Sequence, residues 1–308
     1  MRGKPAVERH TFAEVSPSVI IMPMPLRLLC LGDIVGRPGR QVVHDKLPAL
    51  VRDRQIDLVI ANAENIAGGS GITQNLFNKI RSYGVDVVTL GDHIYRKNDI
   101  IPTLQSSERV VRPANLSANA AGRAYTVVTT NSGVSVAVFS LLGRIFMSHL
   151  PADDPFAAAD RVLDQLPPHV RVCVCDVHAE ASSEKVALGH WLDGRVSLVF
   201  GTHTHIPTAD AKILPGGSAY ISDLGMCGPY DSVLGRRKER VLKYMTTNMP
   251  APFDVATGDV RLCGVYAEIE PETGRALNIE RIEVQAGNAE QAYDADDRPQ
   301  QQQQPSND

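Results

Sequence analysis

Val196-Ser197-Leu198-Val199-Phe200 runs directly into Gly201-Thr202-His203-Thr204-His205. The first five residues read as a buried strand with two histidines at its end. Residues i and i+2 of an extended strand share a face, so His203 and His205 are expected to point their rings one way. Neutral imidazole is the commonest nitrogen ligand of transition metals. On its own the pair fits equally well a polar strand end with two satisfied histidines. Other apolar runs stop in the same manner, however: at Asp33, at Glu64-Asn65, at Asp92-His93 and at His178. Five strand ends carrying ligand-type residues point to one shared site.

The flanking segments supply the fold class. The run 27–31 is a compact apolar strand closing on Gly32-Asp33, followed by a Gly36-Arg37-Pro38-Gly39-Arg40 turn and a helix over 41–54. Gly36, Pro38 and Gly39 could cradle a phosphate at that helix start or serve as an ordinary turn; no Walker lysine accompanies them. The plan repeats with a strand at 57–61, a Gly-rich loop, a helix capped by Thr73, and a third strand at 86–90. Strand, turn and helix in that order indicate βαβ units and a parallel sheet, whose ligands bind at the carboxyl ends of the strands. A hairpin over 124–142 with Asn131-Ser132-Gly133 at its turn, and another over 260–284, make the architecture mixed. Further strands are expected at 170–175 and 219–222, with helices at 154–166 and 182–192.

Composition bounds the function classes. The chain has 308 residues, 43% of them apolar and 21% charged, which is ordinary for a globular protein. A net charge of -4 argues against stable binding to nucleic-acid backbone, though not against a nucleotide held in a pocket. Five scattered cysteines without metal-type pairing suit a reducing cytoplasm, and Cys173-Val174-Cys175 reads as core thiols. No apolar run approaches the ~18 residues of a membrane span. Residues 1–25 read as a disordered extension, with Met22 and Met24 leaving a later start open. Residues 26–285 read as one domain. Residues 286–308, with their glutamine run, read as a disordered polar tail.

Asp33, Glu64, Asn65, Asp92, His93, His178, His203 and His205 are too many donors for one tetrahedral ion. They suit two metals sharing a bridging carboxylate, about 3.5–4 Å apart, with open positions for water and substrate. The mixed nitrogen and oxygen donors point to iron or manganese, with zinc also compatible, rather than calcium. Glu180 and Glu184 suit supporting or helix-surface roles. Arg112 and Arg144 are candidates to meet a substrate phosphate.

With these segments in hand the sequence resembles the calcineurin-like metallophosphoesterases, most closely their bacterial YmdB-type branch. The resemblance rests on Gly32-Asp33-Ile34-Val35-Gly36, Asn62-Ala63-Glu64-Asn65, Gly91-Asp92-His93, Asp176-Val177-His178-Ala179-Glu180 and Gly201-Thr202-His203-Thr204-His205. Arg112-Pro113-Ala114-Asn115 and the stretch from Asp223 to Ser232 also match. It implies a four-layer α/β/β/α sandwich with a dinuclear site. By the family's pattern Asp33, Asn65 and His205 would hold the first metal and Glu64 would bridge. Asp92, His178 and His203 would hold the second, and His93 would protonate the leaving oxygen while a metal-bridging hydroxide attacks phosphorus. The branch implies a phosphodiesterase acting on small phosphodiesters, with 2′,3′-cyclic nucleotides favoured. The family's usual asparagine is replaced by Asp92, which adds negative charge beside His93 and the docking anion. That departure predicts slower turnover or a changed pH optimum, and it leaves room for a regulatory metal protein acting through a partner. A homo-oligomer is compatible with the sequence.

Overall fold

β1 (Leu26–Leu31) sends alternate side chains into two different cores. Leu28 and Cys30 meet Val138, Val174 and Phe200 of another sheet, whereas Leu29 and Leu31 meet Val42, Val43 and Leu47 of a helix. A strand covered on both faces needs apolar residues, which is why Leu28 to Leu31 reads as an unbroken run; Arg27, half-buried, lies at its start. The computed structural model describes residues 24–287. The expected amino-terminal extension and polar tail lie outside these residues, apart from Met24, Pro25, Ala286 and Gly287.

After β1 come β2 (Asp33–Ile34), α1 (Gly36–Arg54), β3 (Leu58–Asn62), α2 (Gln74–Ser82), β4 (Val87–Thr89) and α3 (Ile101–Ser106). The second half begins with β5 (Tyr125–Thr129), β6 (Ser135–Leu142), α4 (Pro155–Gln165), β7 (Val172–His178), α5 (Ser182–Leu192) and β8 (Leu198–Thr202). It closes with β9 (Lys212–Ile213), β10 (Ala219–Ile221), β11 (Met226–Pro229), α6 (Lys238–Thr247), β12 (Val260–Ile269) and β13 (Ala276–Gly287). One sheet runs β2-β11-β12-β1-β3-β4, with β13 also on β12; the other runs β5-β6-β7-β8-β10-β9. Both are mixed. β1, β3 and β4 are parallel, as are β6, β7, β8 and β10, while β12 pairs antiparallel with β1 and β13.

Three apolar cores separate the layers. Between the sheets lie Leu26, Ile60, Val136, Val172, Phe200 and Ile269. Outside the first sheet, α1 and α2 pack Leu47, Leu76 and Ile80 onto Val59 and Val88. Outside the second, α4 and α5 pack Ala159, Val162 and Leu188 onto Phe139, Cys175 and Val199. The result is the α/β/β/α sandwich that the resemblance implies. All five cysteines are buried free thiols. Among the described residues no helix is long and apolar enough to cross a membrane.

The local signals act as their chemistry requires. The Thr73 hydroxyl accepts the Leu76 N–H at 3.2 Å, and Asp154 caps α4 through the Phe156 N–H at 2.9 Å, ahead of Pro155. The largest boundary difference is at α1, while β7 and β8 run two or three residues later than expected. α1 starts at Gly36, so the expected 36–40 turn is its first turn. Gly36 N–H donates to the Asn65 carbonyl at 2.9 Å and Gly39 N–H to that of Val35 at 3.1 Å, which leaves neither for a phosphate. A Cβ on Gly39 would lie 2.3 Å from the Cys227 carbonyl oxygen, so this glycine lets the helix approach β11.

Candidate metal centre

Parallel strands place their carboxyl ends at one edge, and here two such edges face each other. Asp33 lies in β2 directly after β1, while Glu64 and Asn65 follow β3 and Asp92 and His93 follow β4. From the second sheet, His178 is the last residue of β7, and His203 and His205 follow β8. Every residue singled out as a ligand or proton donor enters this cluster.

Glu64, Asp92, His178 and His203 each offer one donor atom, and these atoms all lie within 4.8 Å of one another. His178 Nε2 is 3.1 Å from Glu64 Oε1 and 3.2 Å from Asp92 Oδ1. His203 Nδ1 is 3.1 Å from His178 Nε2 and 3.5 Å from Asp92 Oδ1. Beside this group stands a second one. His205 Nε2 is 3.6 Å from Asp33 Oδ1 and 3.3 Å from Asn65 Nδ2. Glu64 links the two, since the same Oε1 that meets His178 lies 3.3 Å from Asn65 Nδ2. His93 sits over the junction, with Nδ1 2.8 Å from Asn65 Oδ1 and 3.4 Å from Glu64 Oε1.

The expected strand geometry of the histidine pair is not what forms. β8 ends at Thr202, and His203 and His205 both adopt left-handed backbone, with φ of 90° and 62°. The i, i+2 rule for extended chain therefore lapses, and the two rings reach different donor groups.

Each ligand-type histidine has its other nitrogen tied. Thr202 Oγ1 donates to Asp176 Oδ1 at 2.6 Å, so it can only accept from His178 Nδ1, 2.8 Å away. In the neutral ring that directs the Nε2 lone pair at Glu64 and Asp92. His203 Nε2 is 3.2 Å from Glu180 Oε2, which leaves Nδ1 inward. His205 Nδ1 is 3.1 Å from the Leu234 carbonyl, an acceptor only, so Nε2 carries the lone pair facing Asp33. Backing of this kind is typical of metal-binding imidazoles.

The electrostatics agree with a cation site. Asp33, Glu64 and His178 are fully buried. Burial pushes the Glu64 carboxyl up, but the His178 charge and the hydrogen bonds from His178 and His93 outweigh it, and its pKa falls well below the usual range. Asp92 follows the same pattern. Burial opposes protonation of His178, yet Glu64 and Asp92 hold its pKa well above the ordinary imidazole value. Ionised carboxylates packed this closely need positive charge among them. Asp33 Oδ1 is buried without a hydrogen bond, an orphan acceptor aimed at His205. The carboxylate and imidazole donors, without thiolate, fit first-row transition metals, and Asn65 would add its Oδ1, which here faces His93.

Several contributors were not singled out by sequence. Asp176 accepts from Thr89 at 2.5 Å, Thr202 at 2.6 Å and Asn62 at 3.1 Å, behind His178. Burial raises its pKa to about 6. Its signal was present: a carboxylate two residues before His178 in an apolar strand shares the histidine's face. Asp223 starts a stretch that matches the family but had no role assigned to it, and Lys185 carried no local signal. Arg112 is buried and donates to the Pro113 and Gly122 carbonyls at 2.8 and 3.2 Å, so it is a structural residue. Arg144 is exposed, one residue beyond Gly143, whose N–H donates to the His178 carbonyl at 2.8 Å. Glu184 is buried and accepts from the Arg144 and Ile145 N–H groups at 3.0 and 3.3 Å, shaping that turn.

Two facing sheets with a carboxylate-linked cluster of histidines at their carboxyl edges define a phosphoesterase of the calcineurin-like metallophosphoesterase class. A family profile described as YmdB-like protein matches residues 29–282. The chain is 42% identical over 257 residues to the 2′,3′-cyclic-nucleotide 2′-phosphodiesterase of Bacillus subtilis, covering 83% of this chain and 96% of that protein. A novel phosphatase from Mycoplasma pneumoniae superposes with TM-score 0.81 at 32% identity, covering 86% of this chain and 96% of that one. A structure from Thermus thermophilus gives TM-score 0.79 at 40% identity, covering 84% of this chain and 99% of that one. The chain belongs to the YmdB-like family.

Proposed function

We propose that this protein is a dinuclear metal-dependent phosphodiesterase acting on small phosphodiesters, with 2′,3′-cyclic nucleotides as the substrate class. The observation that carries this reading is the position of Glu64, whose one carboxylate joins two donor groups. Asp33, Asn65 and His205 would hold one metal and Asp92, His178 and His203 the other, with the Glu64 carboxylate available to both. The substrate class follows from the name of the Bacillus subtilis relative. Bound metals supply Lewis acidity toward the phosphoryl oxygens and an activated water; the donor set favours iron or manganese.

The protein's own groups do the rest. His93 keeps Nδ1 on Asn65 Oδ1 and has Nε2 3.8 Å from Asp92 Oδ2. Its ring is a quarter exposed, so Nε2 can deliver a proton to a departing alkoxide at the mouth of the site. Arg144, exposed and next to the Gly143 that bonds the His178 carbonyl, would meet a phosphate from outside. The buried wall of Asp176, Thr202 and Asn62 holds the His178 ring in place.

The test is hydrolysis of a panel of 2′,3′-cyclic nucleotides and of bis-p-nitrophenyl phosphate by manganese-reconstituted protein. His93→Ala is expected to slow both by about 10²–10⁴-fold, the usual worth of a general acid, with metal content unchanged. Full metal uptake with no hydrolysis of any diester would overturn the enzymatic reading in favour of a metal-dependent regulatory protein.

A further inference from the structure

We propose that the buried Lys185–Asp223 pair, acting through Thr204, is the positioning device that divides His203 and His205 between the two metal sites. The inference rests on the dinuclear reading above. Lys185 Nζ meets Asp223 Oδ2 at 2.6 Å, with the side chains 3% and 1% exposed. A salt bridge this deep has no general advantage over an apolar pair for stability, because both charges lose water. What it does here is fix one acceptor. Asp223 Oδ2 also takes the Thr204 hydroxyl at 2.7 Å and the Thr204 N–H at 3.3 Å. Its other oxygen takes the Gly225 N–H at 2.8 Å, so the carboxylate cannot swing.

Thr204 is thus pinned by backbone and side chain at once, and it is the residue between the two histidines. Both neighbours are left-handed, a conformation that residues with a Cβ avoid. A relaxed, extended His-x-His would turn both rings to one side. Anchoring the middle residue while its neighbours take positive φ sends His203 to Asp92 and His178, and His205 to Asp33 and Asn65. Neighbouring backbone reinforces the arrangement: Leu224 N–H donates to the Gly201 carbonyl at 3.0 Å and Thr208 N–H to that of Asp223 at 3.1 Å. A Cβ on Gly201 would lie 1.8 Å from the Ser222 carbonyl oxygen and 2.9 Å from the Lys185 side chain. The glycine, second threonine and two histidines of Gly201-Thr202-His203-Thr204-His205 are then parts of one device.

The experiment is Mn2+ binding to the full chain by calorimetry, with electron paramagnetic resonance to distinguish a coupled manganese pair from a single ion. Thr204→Val keeps the shape and the N–H but removes the hydroxyl; Thr204→Ser restores it. Thr204→Val is expected to weaken uptake about 10–100-fold, as loss of a supporting contact does, and to lose the coupled-pair signal. Thr204→Ser is expected to stay near wild type. Asp223→Asn, which removes the charge at constant size, is expected to resemble Thr204→Val. Urea unfolding of the metal-free variants separates this from a merely structural role, since Thr204→Val should unfold close to wild type. Wild-type affinity and pair signal retained in Thr204→Val would overturn the positioning role alone. Wild-type protein taking up no Mn2+ would overturn the metal-site reading and this inference with it.

Discussion

Glu64 carries more of the site than any other residue, because its carboxylate is the contact between the two donor groups. Glu64→Gln keeps the size and removes the charge. It is expected to drop metal content sharply from the roughly two ions per chain of a bridged site, read by elemental analysis. Asp92 poses a different question. An amide there would still offer an oxygen to a metal, but the carboxylate adds negative charge 3.8 Å from His93 Nε2 and beside an incoming anion. Asp92→Asn is therefore expected to raise turnover or shift the pH–rate profile of diester hydrolysis. A profile superimposable on wild type would show that this charge has no part in the reaction. Of these residues Asp33, Glu64, Asn65, Asp92, His93, His178, His203 and His205 were legible as polar groups ending apolar runs. Asp176 was partly legible through its spacing from His178. Lys185 was not legible, since nothing in the sequence of α5 marks one buried lysine, and Asp223 entered only as the start of a stretch matching the family, with no role of its own.

The elements were legible where their periodicity is set by burial. β1, β3, β7 and β8 are covered on both faces and show as apolar runs, and α2 and α4 show caps followed by an apolar stripe. α6 is absent from the sequence reading although Val241, Leu242, Tyr244 and Met245 recur at helical spacing; of its ten residues only Val241 is buried. β11 contains Cys227-Gly228-Pro229 and has no strand propensity of its own; pairing with β2 and β12 creates it. The start of α1 was placed late for a related reason. Its Gly36-Arg37-Pro38-Gly39 opening looks like a turn, and only contact with Cys227 shows why glycine is needed inside a helix. Gly39→Ala makes the competition measurable. Helix propensity alone favours alanine by about 1 kcal/mol. A Cβ 2.3 Å from a backbone oxygen cannot be accommodated by a side-chain shift, and overpacking of this sort costs about 1–3 kcal/mol. The clash is expected to win, lowering the urea midpoint.

At the scale of the whole molecule, the donor cluster joins two sheets that otherwise meet through an apolar core and a few buried polar contacts, such as those of Asp176 with Asn62 and Thr89. Metals held between Asp33, Glu64 and Asp92 from one sheet and His178, His203 and His205 from the other would tie the sandwich together at one edge. Ligand that binds only the folded state adds about 2.7 kcal/mol at a hundred times its Kd. For a domain of this size about 2–4 °C of Tm accompanies each kcal/mol, so saturating Mn2+ is expected to raise Tm by about 5–10 °C. A chelator should reverse the rise, and Glu64→Gln should not show it. An unchanged Tm across a Mn2+ titration of wild-type protein would count against ligation from both sheets.

The sequence by itself determined which residues are apolar and at what period, and so the strands, most helices and the strand-end positions of the donors. Those are local properties, because a buried strand must be apolar along its length and a polar residue is admitted only where the strand leaves the core. The family resemblance already assigned His203 and His205 to different metals; only the tertiary structure gives the backbone that turns their rings to different donor groups. Whether His203 and His205 face one group or two depends on left-handed backbone held by Asp223 and Lys185, which stand outside the motif in sequence. It likewise decided that Arg112 is spent on carbonyls and that Asp176 stands behind His178. Long-range contacts of this kind are paid for by the folded whole, and no single segment records them.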